Sequence, residues 1–160
     1  MAISSLRLFL LPLALALSFQ PASAQDGSIV GTVGAVQDCI SISDGFTFDQ
    51  KKLKKLGWKK ANMDGDFGGV VTPYHRSGAP ILLVFYSSCM AKFAVSSDQR
   101  EQVMSALIAE LTRRFGMPPV ESQASLIWKL PNVIVELTPG PSNGSNVTVS
   151  VKSLALQANR

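Results

Sequence analysis

The fold class is set by residues 81–116, which read ILLVFYSSCMAKFAVSSDQREQVMSALIAELTRRFG. Residues 81–86 form a continuous apolar run and predict a strand in the centre of a sheet. Residues 89–95 predict the hairpin partner of that strand, with Cys89 on the core side and Ser87-Ser88 in the turn. Strands joined by so short a turn have to be antiparallel.

The same stretch continues into the clearest helix pattern of the chain. Val103, Leu107, Leu111 and Phe115 recur at the spacing of one helix face. Gly116 is expected to end the helix. One of the residues Ser-Ser-Asp at 96–98 is expected to cap its first turn.

Weaker patterns on both sides complete an α+β prediction. Residues 29–42 carry apolar side chains at helical spacing in spite of Gly31 and Gly34, and a short helix is expected from Asp49 to about Gly57. Further strands are expected at residues 70–75, 125–130, 133–137 and 147–154. We therefore expect a single antiparallel sheet of about six strands, with the long helix and one or two shorter N-terminal helices packed on one face. The order hints at a doubled unit of a helix and three strands, although no residues match between the halves.

The first 24 residues have the features of a secretory signal peptide. Arg7 precedes an apolar run at residues 8–19, and Ala22-Ser23-Ala24 is a small-residue cleavage motif. Residues 25–160 then form a single α+β domain, which opens with a polar leader at residues 25–28. No later apolar run approaches the length of about 20 residues that a membrane-spanning helix needs. We expect an exported protein, periplasmic or else secreted.

Two cysteines, Cys39 and Cys89, are the only thiols of the chain. An even number of cysteines behind a signal peptide predicts a disulfide bond, and both side chains are expected to face the interior. Their wide spacing lacks the CxxC pattern of redox sites. A bond closing about 50 residues would contribute about 4 kcal/mol in the loop-entropy treatment.

The most distinctive polar feature is the segment KKLKKLGWKK at residues 51–60, which holds six of the 15 lysines and arginines. Because a short helix cannot bury four lysines, we expect a solvated cationic face formed by Lys51, Lys52, Lys54 and Lys55. This face would contact an anionic partner, with Trp58 at its margin. In the alternative interpretation Leu53, Leu56 and Trp58 are core anchors, and the lysines only keep the helix soluble.

Two other polar features could carry chemistry. Asn62-Met63-Asp64-Gly65-Asp66 resembles the start of a calcium loop, but it departs from the EF-hand pattern, and a turn within a loop at residues 62–69 is the better interpretation. His75 is the single histidine and could act as a general base. Its candidate nucleophiles would be Ser77, Ser87 or Ser88, and none of these serines lies in a nucleophile-elbow pattern.

These observations favour a small soluble binding module over an enzyme. We find no convergent catalytic set, no phosphate-binding loop and no Cys/His metal pattern, so no cofactor or metal is expected. The expected partner is an anionic envelope component or an acidic protein. Nucleic acid is a poor candidate for an exported protein. The alternatives are a small periplasmic hydrolase that uses His75 near the Asp64–Asp66 loop, and a structural envelope component.

Overall fold

A computed structural model describes residues 24–62, 70–140 and 146–154, with side chains from residue 29 onwards. The predicted signal peptide lies outside the described residues except for Ala24, and so does the predicted loop at 62–69 except for Asn62. The described residues form three helices and eight strands. In chain order they are α1 (Ala24–Ile42), α2 (Gln50–Lys55), β1 (Lys59–Lys60), β2 (Thr72–His75), β3 (Ile81–Val84), β4 (Ser88–Ala94), α3 (Arg100–Phe115), β5 (Val120–Ser122), β6 (Ser125–Lys129), β7 (Val133–Pro139) and β8 (Asn146–Ser153).

The strands form one antiparallel sheet in the order β1-β2-β3-β4-β8-β7-β6-β5. The predicted α+β class and single antiparallel sheet are confirmed, but the sheet has eight strands within the described residues instead of about six. The two additional strands, β1 and β5, lie at the edges and have only two and three residues, all of them exposed. The strand predicted from the apolar run, β3, is an interior strand paired with β2 and β4, next to the middle pair β4 and β8.

The two halves of the chain have the same order of elements. Each half places its helices before four consecutive strands, and the halves meet where the last strand of one, β4, pairs with the last strand of the other, β8. Each half therefore has a helical segment followed by four strands, whereas the sequence hinted at three.

All three helices lie on the same face of the sheet, which we call the helix face. A row of directly paired residues on this face runs across five strands: Val84, Cys89, Val151, Val135 and Trp128. The first helix is bonded to this row through Cys39, and the third packs on it through Phe115, whose ring meets that of Trp128 edge-on at 6.1 Å. Tyr74, one strand further out, donates a hydrogen bond to Gln50 of α2 at 3.0 Å.

The predicted disulfide bond joins α1 to the central strand β4. Cys39 and Cys89 are bonded, their Cα atoms lie 5.7 Å apart, and both side chains are fully buried. Around them α1 packs against α3, β4 and β8. The bond therefore fixes the first helix at the centre of the core.

Two helix starts differ from the sequence prediction. The polar leader at residues 25–28 is helical, since α1 begins at Ala24 and continues through its glycines. The N-cap residue of α3 is Gln99, which provides no side-chain capping bond, so the predicted cap at residues 96–98 is wrong. Ser96 instead donates to the Gln99 side chain at 2.9 Å. The predicted stop is confirmed: Gly116 has a φ of 69°, a left-handed conformation that glycine adopts without strain.

Candidate binding surface

Six lysines form one exposed cationic strip at the β1 edge of the sheet. Four lie on α2 and two form β1, and all six side chains are exposed. We call this strip the lysine surface; it consists of Lys51, Lys52, Lys54, Lys55, Lys59 and Lys60. Lys59 and Lys60 point to opposite faces of the sheet, so the strip extends around the edge from the helix layer to the far side.

A buried anchor and a cap explain why α2 presents its lysines to solvent. Leu53 is fully buried, and Asp49 caps the helix by accepting a hydrogen bond from the Lys51 N–H at 2.9 Å. The predicted start of α2 at Asp49 and its end near Gly57 are confirmed. Since Leu53 is the one buried residue of this six-residue helix, its remaining faces are free to carry charge.

Trp58 belongs to the core and is only 1% exposed. Its indole Nε1 donates to the Asp38 carboxylate at 2.9 Å, which ties the segment after α2 to α1. The structure thus places Trp58 beneath the lysines, away from the margin where the sequence analysis expected it. Leu56, the other suggested anchor, is 39% exposed. The anchors of this segment are therefore Leu53 and Trp58.

Arg76 completes the support of the lysine surface. Its guanidinium pairs with Asp38 at 2.7 Å, lies 4.5 Å from the Trp58 ring centroid, and donates to the Leu56 carbonyl at 3.1 Å. These contacts connect α1, the end of α2 and the residue after β2. Nothing in the sequence around Asp38 or Arg76 indicates that the two side chains pair, so neither residue was predicted to belong to this site.

The lysines of this surface have no acidic partner in the described part of the chain. The ion pairs there join Arg76 to Asp38, Arg113 and Arg114 to Glu110, and Lys152 to Glu136. Among the described residues, no carboxylate neutralises these six positive charges. Among the described residues, no group of three or more histidines, cysteines or carboxylates could hold a metal ion.

The described residues do not assemble the catalytic arrangement suggested for His75. This side chain is exposed at the end of β2, and no hydrogen bond or ion pair reaches it from the described residues. The register of β2, β3 and β4 places Ser88 level with the end of β2 opposite His75. Ser88 is thus displaced from His75 by about four residues, or about 13 Å, along the strand direction. Asp64 and Asp66 lie outside the described residues, and so do the other residues of the calcium-loop-like segment except Asn62.

A second polar group lies on the sheet face that carries no helix, which we call the open face. Glu136 of β7 pairs with Lys152 of β8, and Ser125 forms a hydrogen bond to Thr138 at 3.2 Å. Burial alone would raise the pKa of Glu136, but hydrogen bonds from Lys152 and Ser125, with the lysine charge, hold that pKa below its ordinary value. This carboxylate is therefore ionised and neutralises its lysine.

No protein-family model, curated protein or solved structure matches this chain. No helix within the described ranges is long and apolar enough to cross a membrane.

Proposed function

We propose that the protein is an exported binding module that holds an anionic partner on its lysine surface. One observation supports this most: six exposed lysines lie together without an acidic partner among the described residues. Their backbone is fixed by buried anchors, so an anion meets a strip already in place and less ordering entropy opposes binding. The disulfide bond supports an oxidising compartment such as the periplasm.

The size of the expected effect follows from the charge. A lysine close to an anionic surface contributes about 1 kcal/mol to binding. The four lysines of α2 together would contribute about 4 kcal/mol, close to a thousandfold in affinity. This attraction acts over a Debye length of about 10 Å at 0.1 M salt and about 3 Å at 1 M salt. Binding should therefore be strong at low salt and weak at high salt.

The test is sedimentation with vesicles of phosphatidylcholine, with and without phosphatidylglycerol, for the protein and for a variant with Lys51→Gln, Lys52→Gln, Lys54→Gln and Lys55→Gln. We expect binding only to the anionic vesicles and its loss in the variant. Retention of polyglutamate on the immobilised protein, measured in parallel, tests an acidic polypeptide as the partner. If the variant binds both probes as well as the original protein, the lysines only solubilise the helix.

A matched control separates position from total charge. Lys54 and Lys55 occupy the last turn of α2, and Arg113 and Arg114 occupy the last turn of α3. Replacing either pair by glutamine removes the same charge from the same position in a helix. The Lys54/Lys55 variant should lose about tenfold or more in affinity, and the Arg113/Arg114 variant should bind almost as the original protein does.

A further inference from the structure

Strand β3 is apolar on both of its faces, although helices cover only one. Leu82 and Val84 point into the core, whereas Ile81 and Leu83 point to the open face. An antiparallel sheet with one covered face normally carries polar side chains on the other. No helix of the described chain packs on the open face, so no helix covers Ile81 and Leu83 on that side.

These side chains form a small patch next to the lysine surface. Leu83 is directly paired with Pro73 on β2 and with Met90 on β4, and Ile81, which is 40% exposed, lies beside them. We call Pro73, Ile81, Leu83 and Met90 the apolar patch. Tyr86, in the turn between β3 and β4, adds a side chain that is 74% exposed.

Positive charges border the apolar patch on two sides. Lys92 is the direct partner of Ile81 on β4, and Lys59 is the partner of His75 on β1. Both lysines are exposed and lie on the open face with the patch. The open face near β1 is thus apolar in its middle and cationic at its border, and it continues into the lysine surface.

We propose that the anionic partner is a lipid bilayer, with the apolar patch and Tyr86 entering its interface while the lysines contact anionic headgroups. This inference rests on the proposed function and names the partner of the same surface. Binding at a membrane interface strengthens with the apolar area buried and with the attraction to anionic lipids, and the apolar patch beside the lysine surface supplies both. Tyrosine is also concentrated where membranes meet water.

The chemistry of the patch favours acyl chains over the other occupants. Its four side chains offer no hydrogen-bond donor or acceptor, so an extended peptide lying there would bury backbone polar groups without partners. A second copy of this chain would bring its own Lys59 and Lys92 against the same charges, and like charges in an interface oppose association. Acyl chains need no hydrogen bonds, and anionic headgroups complement the border.

The test compares two double variants that remove exposed apolar side chains near β3 and near the β5 edge of the sheet. The first is Ile81→Ser with Tyr86→Ser, and both positions are exposed enough for the fold to be kept. The control is Val120→Ser with Ile127→Ser on β5 and β6, where Val120 is 58% exposed and lies five strands from β3, about 24 Å away. Circular dichroism verifies that both are folded.

Binding is measured on vesicles of phosphatidylglycerol and phosphatidylcholine at low and at high salt. At high salt the attraction between the lysines and the headgroups is screened, so the remaining affinity comes mainly from the apolar side chains. Under that condition the Ile81/Tyr86 variant should bind at least about tenfold more weakly than the original protein. The affinity of the control variant should be unchanged. Equal binding of the original protein and the Ile81/Tyr86 variant overturns the inference.

The remaining outcomes separate this inference from the proposed function. If the four-lysine variant loses vesicle binding and the Ile81/Tyr86 variant keeps it, the lysine surface binds anions and the apolar patch does not enter lipid. Stronger binding to polyglutamate than to anionic vesicles also overturns the lipid assignment, while it supports an acidic polypeptide on the lysine surface. Binding to neither probe contradicts both proposals.

Discussion

Alanine at position 31 should destabilise the protein, whereas alanine three residues later should stabilise it. Both positions are glycines inside α1, where alanine is favoured over glycine by about 1 kcal/mol. Their surroundings differ. A Cβ atom added at Gly31 would come closer to the Gly78 carbonyl oxygen than real Cβ contacts do and would stand 3.1 Å from the Ala79 Cα. A Cβ atom at Gly34 would meet only the Arg76 side chain, at 3.8 Å.

The size of each change in stability depends on which atoms have to move to make room for the new methyl group. At Gly34 the new methyl group makes ordinary van der Waals contact, so Gly34→Ala should raise the free energy of unfolding by about 0.5–1 kcal/mol. At Gly31 the obstacle is backbone on both sides, so either α1 or the turn between β2 and β3 has to shift. Overpacking of this kind costs about 1–3 kcal/mol. After the gain in helix propensity of about 1 kcal/mol, Gly31→Ala should lower the free energy of unfolding by about 1 kcal/mol, and by at most about 2 kcal/mol.

Guanidinium unfolding of the oxidised protein and of both variants measures these differences. The two variants should differ by about 2 kcal/mol, since the helix propensity gain is the same in both and only the overpacking against the turn differs. The reasoning is refuted if Gly31→Ala is as stable as the original protein or more stable. That result would mean that α1 does not approach the β2–β3 turn as closely as the structure has it.

Three further predictions concern stability. Replacing both Cys39 and Cys89 by alanine should lower the free energy of unfolding by about 4 kcal/mol, because a loop spanning 50 positions is no longer closed; a loss below about 1 kcal/mol in guanidinium unfolding would contradict this. Trp58→Phe should cost about 1–2 kcal/mol, since the Asp38 carboxylate loses its indole donor, and an unchanged unfolding midpoint would argue against that contact. Because folding lowers the pKa of Glu136, its carboxylate stabilises the folded protein at pH values above the ordinary pKa of 4.5, and this stabilisation is lost as the pH falls through the lowered pKa of the folded state. The stability of Glu136→Gln should therefore depend less on pH in an acid titration. An acid unfolding profile identical to that of the original protein would count against the ion pair.

The sequence predicts best those elements whose side-chain pattern and burial agree. Val103, Leu107 and Leu111 recur at helical spacing, and all three are buried in α3. The disulfide bond was predictable because Cys39 and Cys89 each fall on the apolar side of their own element. In these cases local preference and tertiary packing point to the same structure.

The elements that the sequence misses are held mainly by neighbouring strands. β1 consists of two lysines, a type of residue that is depleted in strands, and it is a strand because its backbone pairs with β2. β5 is likewise short, exposed and held by its pairing with β6. β3 is the reverse case: its own apolar run predicts an interior strand, and it pairs with β2 and β4 on its two sides.

The candidate site also has features that the sequence predicts and features that depend on contacts between distant residues. The exposure of the four lysines on α2 was predictable, because a helix of six residues cannot bury them and only Leu53 is needed for the core. The position of Trp58 was not predictable, because it depends on Asp38 and on Arg76, which come from distant parts of the chain. Sequence reasoning can find a charged surface of this kind but not the contacts that support it.

The salt dependence of binding tests the central claim most directly. The affinity for vesicles of phosphatidylglycerol and phosphatidylcholine is measured between roughly 0.05 and 0.5 M salt, a range over which screening shortens from beyond 10 Å to a few ångström. The original protein should lose about a hundredfold or more in affinity across this range. The variant with glutamine at positions 51, 52, 54 and 55 should bind weakly throughout, with little dependence on salt. An identical affinity and salt dependence for the two proteins would contradict the assignment of the lysine surface as the binding site.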